Sequence, residues 1–180
     1  MSQLKIGIIL GSTRQGRVSP QVGEWVKKHA DARNDAHYEI VDIADYKLPM
    51  FGETDATEQA TKWNTTLSGL DGFVFVVAEY NHSITGALKN AIDYARDAWN
   101  NKAAGIVSYG SVGGARAAEH LRGILGEVSI ADVRVHVALS LFTDFENGST
   151  FKPAELHLTN LNGMLDQVVA WSGALKTVRS

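Results

Sequence analysis

The chain has 180 residues, 44% of them apolar and 21% charged, with 17 glycines, 3 prolines and no cysteine. A chain of this length is expected to fold as one soluble domain over residues 1–180, burying roughly 70% of the surface its unfolded form exposes, without help from a disulfide or a structural metal. The lack of cysteine excludes thiol catalysis, disulfide exchange, iron-sulfur clusters and thiolate zinc sites. A formal net charge of -3 gives no footprint for nucleic acid or acidic lipid.

The first apolar run, residues 4–10, breaks at Ser12-Thr13-Arg14. It is too short for a signal-peptide core or a membrane span, so a cytoplasmic chain with no membrane partner is expected. Four more runs of strand length follow at 38–43, 72–78, 103–109 and 133–139. The third, containing Phe73-Val74-Phe75-Val76-Val77-Ala78, is continuous rather than alternating, as in a parallel strand buried on both faces.

Between the runs lie stripes of helical period: Val18, Val22, Trp25 and Val26; Ala60, Trp63, Leu67 and Leu70; Leu88, Ala91, Ile92 and Ala95; Ala117, Leu121, Ile124, Leu125 and Val128; Leu158, Leu161, Leu165, Val168 and Ser172. Strand and helix therefore alternate. This pattern predicts an α/β three-layer sandwich, with a five-stranded parallel sheet in the order 2-1-3-4-5 and helices on both faces. Segments 45–57 and 143–152 are longer loops.

In such a sheet ligands bind beyond the carboxyl ends of the strands, where the strand order reverses. Three loops meet there. The first, Gly11-Ser12-Thr13-Arg14-Gln15-Gly16-Arg17-Val18-Ser19-Pro20, opens a helix and offers hydroxyls, two guanidinium groups and backbone amides to an anion. Alternatively, Ser19 simply caps the helix ahead of Pro20. Gly11 and Gly16 have P-loop spacing, but Arg17-Val18 stands where Lys and Ser or Thr are needed, and Gly-x-Gly-x-x-Gly is absent. A single phosphate monoester fits best.

The second loop, Glu79-Tyr80-Asn81-His82-Ser83-Ile84-Thr85-Gly86, is densely polar after an apolar strand; taken singly, Glu79 reads as a surface carboxylate near a helix start and His82 as a solvated histidine. The third, Ser108-Tyr109-Gly110-Ser111-Val112-Gly113-Gly114-Ala115-Arg116, has three glycines within five residues. A tight turn explains one or two of them. A planar ligand edge lying against the loop explains all three.

These three stretches, together with Ala87-Leu88-Lys89-Asn90-Ala91-Ile92-Asp93, resemble the NADPH-dependent FMN reductases of flavodoxin-like fold, in order and over nearly the whole chain. The resemblance implies an FMN-dependent oxidoreductase taking electrons from NADPH or NADH. A hydride would pass from the nicotinamide to flavin N5, and electrons then to a quinone, azo compound or similar small-molecule acceptor in a ping-pong cycle.

By position, Ser12, Arg14 and Ser19, with amides including Gln21, match the FMN phosphate site. Glu79, Tyr80, Asn81 and His82 match the loop under the ring edge, and Ser108, Tyr109, Gly110, Ser111 and Gly113 the loop on its other side. No catalytic side chain and no metal is implied. Ala78 and Thr85 stand where the family usually has proline, and Tyr94 where it has tryptophan.

The resemblance also implies a homodimer or homotetramer, with Trp99 read either as an interface residue or as core. Arg17 and Arg116 stand as partners for an NADPH 2′-phosphate or as plain surface charges. A flavodoxin-like electron carrier and a non-redox mononucleotide-binding protein are the rival functions.

Overall fold

The computed structural model describes residues 3–53, 55–95 and 97–179. Chain order is β1 (Lys5–Leu10), α1 (Ser19–Asp31), β2 (His37–Asp42), α2 (Thr57–Ser68), β3 (Gly72–Ala78), α3 (Gly86–Asp93), β4 (Lys102–Gly110), α4 (Ala115–Glu127), β5 (Ile130–Asp132), β6 (Val137–Ser140), β7 (Phe145–Glu146), β8 (Thr150–Phe151) and α5 (Leu156–Lys176). The main sheet runs β2-β1-β3-β4-β5, parallel throughout, and β6 also pairs with β4.

Every residue of β3 and of β4 is buried. Alternate side chains along a strand point to opposite faces, so each central strand supplies two cores. Phe73, Phe75, Val77 and Ile106 meet Trp63, Leu67, Leu88, Leu121 and Leu125 on one face. Val74, Val76, Val107 and Tyr109 meet Val22, Val26, Leu161, Leu165 and Val168 on the other. β2, at the edge, is only partly covered.

The fifth strand differs from the single run expected at 133–139. It is two short strands, Ile130–Asp132 against Lys102 to Ala104 and Val137–Ser140 against Val107 to Gly110. Side chains from both flanking helices take up the backbone between them. Arg122 of α4 pairs with Asp132 and donates to the carbonyls of Val133 (3.0 Å) and Arg134 (3.3 Å). Gln167 of α5 accepts from the Val135 amide at 3.1 Å. The presumed loop at 143–152 likewise contains an antiparallel ribbon, Phe145↔Phe151 and Glu146↔Thr150.

Trp99 is core. Its ring packs on Trp63, Phe73 and Phe75, and its Nε1 donates to the Ile92 carbonyl at 3.1 Å. Trp99→Ala is therefore expected to lose about 3–5 kcal/mol of unfolding free energy, and Trp99→Phe less, since it forfeits mainly the hydrogen bond. Denaturant midpoints check this; a Trp99→Ala protein as stable as wild type would contradict the core assignment.

Candidate functional site

β1, β3 and β4 deliver their loops to one end of the sheet. The loop after β1 is braced from inside. Its start is tied to β3 by the Gly11 amide donating to Val76 O at 2.9 Å. Arg17 donates to Asp42 at the end of β2 through two parallel bonds, 2.7 and 2.5 Å, and to the Ser12 carbonyl at 2.5 Å. Asp42, which carries no signal of its own in the sequence, thereby ties Arg17 into the fold, so Arg17 is not a plain surface charge. Signals for such a pairing lie only in the tertiary structure, because the partners are 25 residues apart.

What the brace leaves over is a set of donors. Ser12 and Ser19 are buried. Ser19 does not cap α1: the capping position is Val18, no side chain caps the helix, and Ser19 Oγ has no hydrogen-bond partner of good geometry. The Tyr109 hydroxyl lies beside Ser12 and Ser19 and near Arg14; burial pushes it up to about 12, so it stays protonated and able to donate. Among the described residues, the amides of residues 12–16 meet no acceptor and Arg14, which is exposed, has no acidic partner. Buried hydroxyls, unpaired amides, a helix N-terminus and a guanidinium without an acidic partner are the donor types an anion site needs.

The second loop folds as a tight turn. The amides of Tyr80 and Ser83 exchange bonds with each other's carbonyls at 2.9 and 3.0 Å, and Asn81 and His82 between them both take positive φ, 48° and 67°. This is the backbone of a two-residue turn with both central residues left-handed, a conformation in which Asn is at home. Tyr80 is left exposed above β3, with Asn81 and His82.

Glu79 is not a surface carboxylate. Its side chain is 4% exposed and pairs with the Arg116 guanidinium, Nε at 2.6 Å, while accepting from the Arg116 amide at 3.2 Å at the start of α4. Burial pushes this carboxyl up, but Arg116 and the helix amides outweigh burial and hold it below the usual glutamate range. Arg116 Nη1 also lies 2.8 Å from His82 Nε2, and Ser83 Oγ lies 2.6 Å from His120 Nδ1. Arg116, like Arg17, is thus spent on the fold. Thr85, at a usual proline position, caps α3 by accepting from Leu88 N at 3.0 Å and donates to the Gly11 carbonyl, joining the second loop to the first.

The glycines of the third loop are required by the turn itself, whether or not a ligand edge lies against it. Gly113 and Gly114 have φ of 71° and 70°. A Cβ on Gly114 would stand 2.7 Å from Tyr109 N, one on Gly113 2.9 Å from the Ala138 side chain, and one on Gly110 3.0 Å from Glu79 Cβ. The loop turns back on its own strand, and Ser108 Oγ closes it on the Gly113 carbonyl at 2.6 Å. The tight turn accounts for all three glycines. Tyr109 is buried, facing α1 beneath the first loop; Ser111 and Val112 are exposed.

Arg14, Arg17, Val18, Ala78, Glu79, Tyr80 and Tyr109 line one cavity of about 100 Å³. Two further lining residues, Leu141 and Gly148, had no sequence signal. Gln21, whose backbone amide is the group expected at the anion, sends its side chain to the ribbon: Nε2 donates to Ser149 O at 2.8 Å and Oε1 accepts from Phe151 N at 2.9 Å.

Residues 4–144 match the family described as NADPH-dependent FMN reductase. An NAD(P)H-dependent FMN reductase of Schizosaccharomyces pombe is 36% identical over 149 residues, covering 78% of this chain and 74% of the relative. A quinone reductase of Escherichia coli is 33% identical, covering 68% and 70%. Among solved structures, the flavoenzyme NAD(P)H:(acceptor) oxidoreductase FerB from Paracoccus denitrificans shares the fold at a TM-score of 0.78 and 22% identity, covering 95% of this chain and 98% of that one. A 2-1-3-4-5 parallel sheet with unpaired donors collected at one end and these matches lead to one assignment: the chain belongs to the NADPH-dependent FMN reductase family, oxidoreductases that use FMN with NAD(P)H as electron donor.

Proposed function

We propose that the chain is a single-domain NAD(P)H oxidoreductase that passes electrons through FMN to quinones, azo compounds or similar acceptors, donor and acceptor using one slot in turn. The observation that carries this reading is the donor set left after Arg17 and Arg116 are accounted for: Ser19 Oγ, buried with no hydrogen-bond partner of good geometry, and, unpaired among the described residues, the amides of residues 12–16 and Arg14. It suits a phosphate monoester dianion. Relatives named as quinone reductases, including a 2-hydroxy-1,4-benzoquinone reductase of a Burkholderia species, support the acceptor class.

Ser12, Arg14 and Ser19 would hold the phosphate, the turn of Glu79 to His82 one edge of the ring, and the Ser108 to Gly113 loop the other. FMN when bound supplies the two-electron chemistry. The chain orients it, and backbone amides of the two loops offer hydrogen bonds to negative charge on the ring. Glu79 is engaged by Arg116 and the start of α4, which accords with a reaction needing no general base from the protein.

We also propose self-association as a dimer or tetramer. Met50 and Phe51 are exposed, held on α3 by Asn90, which accepts from Phe51 N and donates to Pro49 O, both at 2.8 Å. Beside them a groove of about 480 Å³ includes Phe51, Ile92 and Val128. Gel filtration is expected to give a multiple of the chain mass; the mass of one chain would remove this part of the reading.

After soaking in FMN and desalting, the protein is expected to keep the visible flavin band and to oxidise NADPH when a quinone is supplied, with parallel initial-rate lines; a colourless protein overturns the reading. Arg14→Ala should weaken FMN about ten- to hundredfold, the effect of losing a charge-assisted bond. Unchanged affinity would contradict the phosphate assignment.

Glu79 has a structural test. Because its folded value lies below the ordinary 4.5, its contribution to stability is present above that pH and is lost as pH falls through the folded value. Glu79→Gln should cost about 1–3 kcal/mol near neutrality. The gap from wild type should close in acid. A gap that is constant with pH would show that the carboxylate charge is not what matters.

A further inference from the structure

We infer that the ribbon at residues 145–151 is the wall of the cofactor site at its phosphate end, and that Gln21 is the positioning residue that holds it there. This rests on the flavin reading above. The ribbon lies beyond the family match, which ends at residue 144.

Three observations place it. Its tip residue, Gly148, lines the same cavity as Arg14, Arg17 and Tyr109. The tip is a defined turn: Asn147 and Gly148 both have positive φ, 53° and 65°, and Ser149 N donates to Glu146 O at 3.1 Å. Finally, the strand leaving the tip is fastened to the first turn of α1, two residues after Ser19, by both polar atoms of Gln21. One amide side chain thus reads one carbonyl and one N–H of the ribbon, which fixes its distance from the helix N-terminus.

An aromatic path makes a second attachment. Trp25 of α1 meets Phe151 at 5.7 Å, Phe151 meets Phe145 at 5.1 Å, and Phe145 meets Tyr109 at 6.0 Å. Tyr109 ends that path with its hydroxyl beside Ser12 and Ser19. The ribbon is therefore anchored on apolar packing at its base and on Gln21 near its tip. Loss of Gln21 frees the tip while the base stays packed, so the effect falls on whatever Arg14 and Gly148 enclose. On the flavin reading Arg14 holds the phosphate, whereas the ring edge is assigned to Glu79 and Tyr80 of the same cavity, so the loss should fall on the phosphate more than on the ring.

The test compares FMN with riboflavin, which lacks the phosphate, by fluorescence titration of wild type, Gln21→Ala and Gln21→Glu. Gln21 is exposed, so the variants are expected to fold, and their melting curves check this. The expected result is FMN affinity down about fivefold or more in Gln21→Ala, the scale of two lost hydrogen bonds, with riboflavin changed less than about twofold. Gln21→Glu, which keeps the acceptor for Phe151 N but sets a carboxylate against the Ser149 carbonyl and near the phosphate, should weaken FMN at least as much as Gln21→Ala while leaving riboflavin within about twofold. Equal losses for both flavins, or no loss, would overturn the inference. Wild type that binds neither flavin would instead overturn the flavin reading, and this inference with it.

Discussion

Burial of β3 and β4 on both faces is the constraint from which the rest of the molecule follows. A strand with apolar side chains in both directions must be covered by helices above and below, and parallel neighbours joined by helical crossovers meet that need. Crossovers return each strand to the same end of the sheet, so the loops after β1, β3 and β4 collect beyond one edge. The site is a by-product of how the core is covered.

Loops so collected still have to be held, and the chain holds them with charge. Arg17 ties the first loop to β2 through Asp42, Arg116 ties the second loop to α4 through Glu79, and Arg122 braces the break between β5 and β6 through Asp132. Each pair is partly buried, where an unpaired partner would be costly. A guanidinium suits this work because its planar fork meets a carboxylate with two bonds and can still reach a carbonyl. Arg14, exposed and without such a carboxylate among the described residues, is the guanidinium of the first loop left unpaired.

The two halves of the site were unequally legible in the sequence. Strand runs, helical stripes and the sheet order follow from periodicity, which is a local property, and the three loops follow from the order. The break in the fifth strand has no local signal because the groups that take up its backbone, Arg122 and Gln167, come from helices on either side. Gly113 and Gly114 read alike whether a ligand or the chain's own backbone approaches them; only the position of Tyr109 N and Ala138 separates the two cases. Arg14 and Arg17 are three residues apart with the same chemistry, and nothing local says which is engaged.

By itself, then, the amino-acid sequence determined the architecture, the end of the sheet at which the three polar loops collect and the residue types gathered there, because alternation, burial and turn chemistry are written in neighbouring positions. Which donors remain unpaired was decided by the tertiary structure. That question turns on contacts such as Arg17 with Asp42 and Gln21 with Ser149, between residues 25 and 128 positions apart, whose meeting depends on the packing of whole elements.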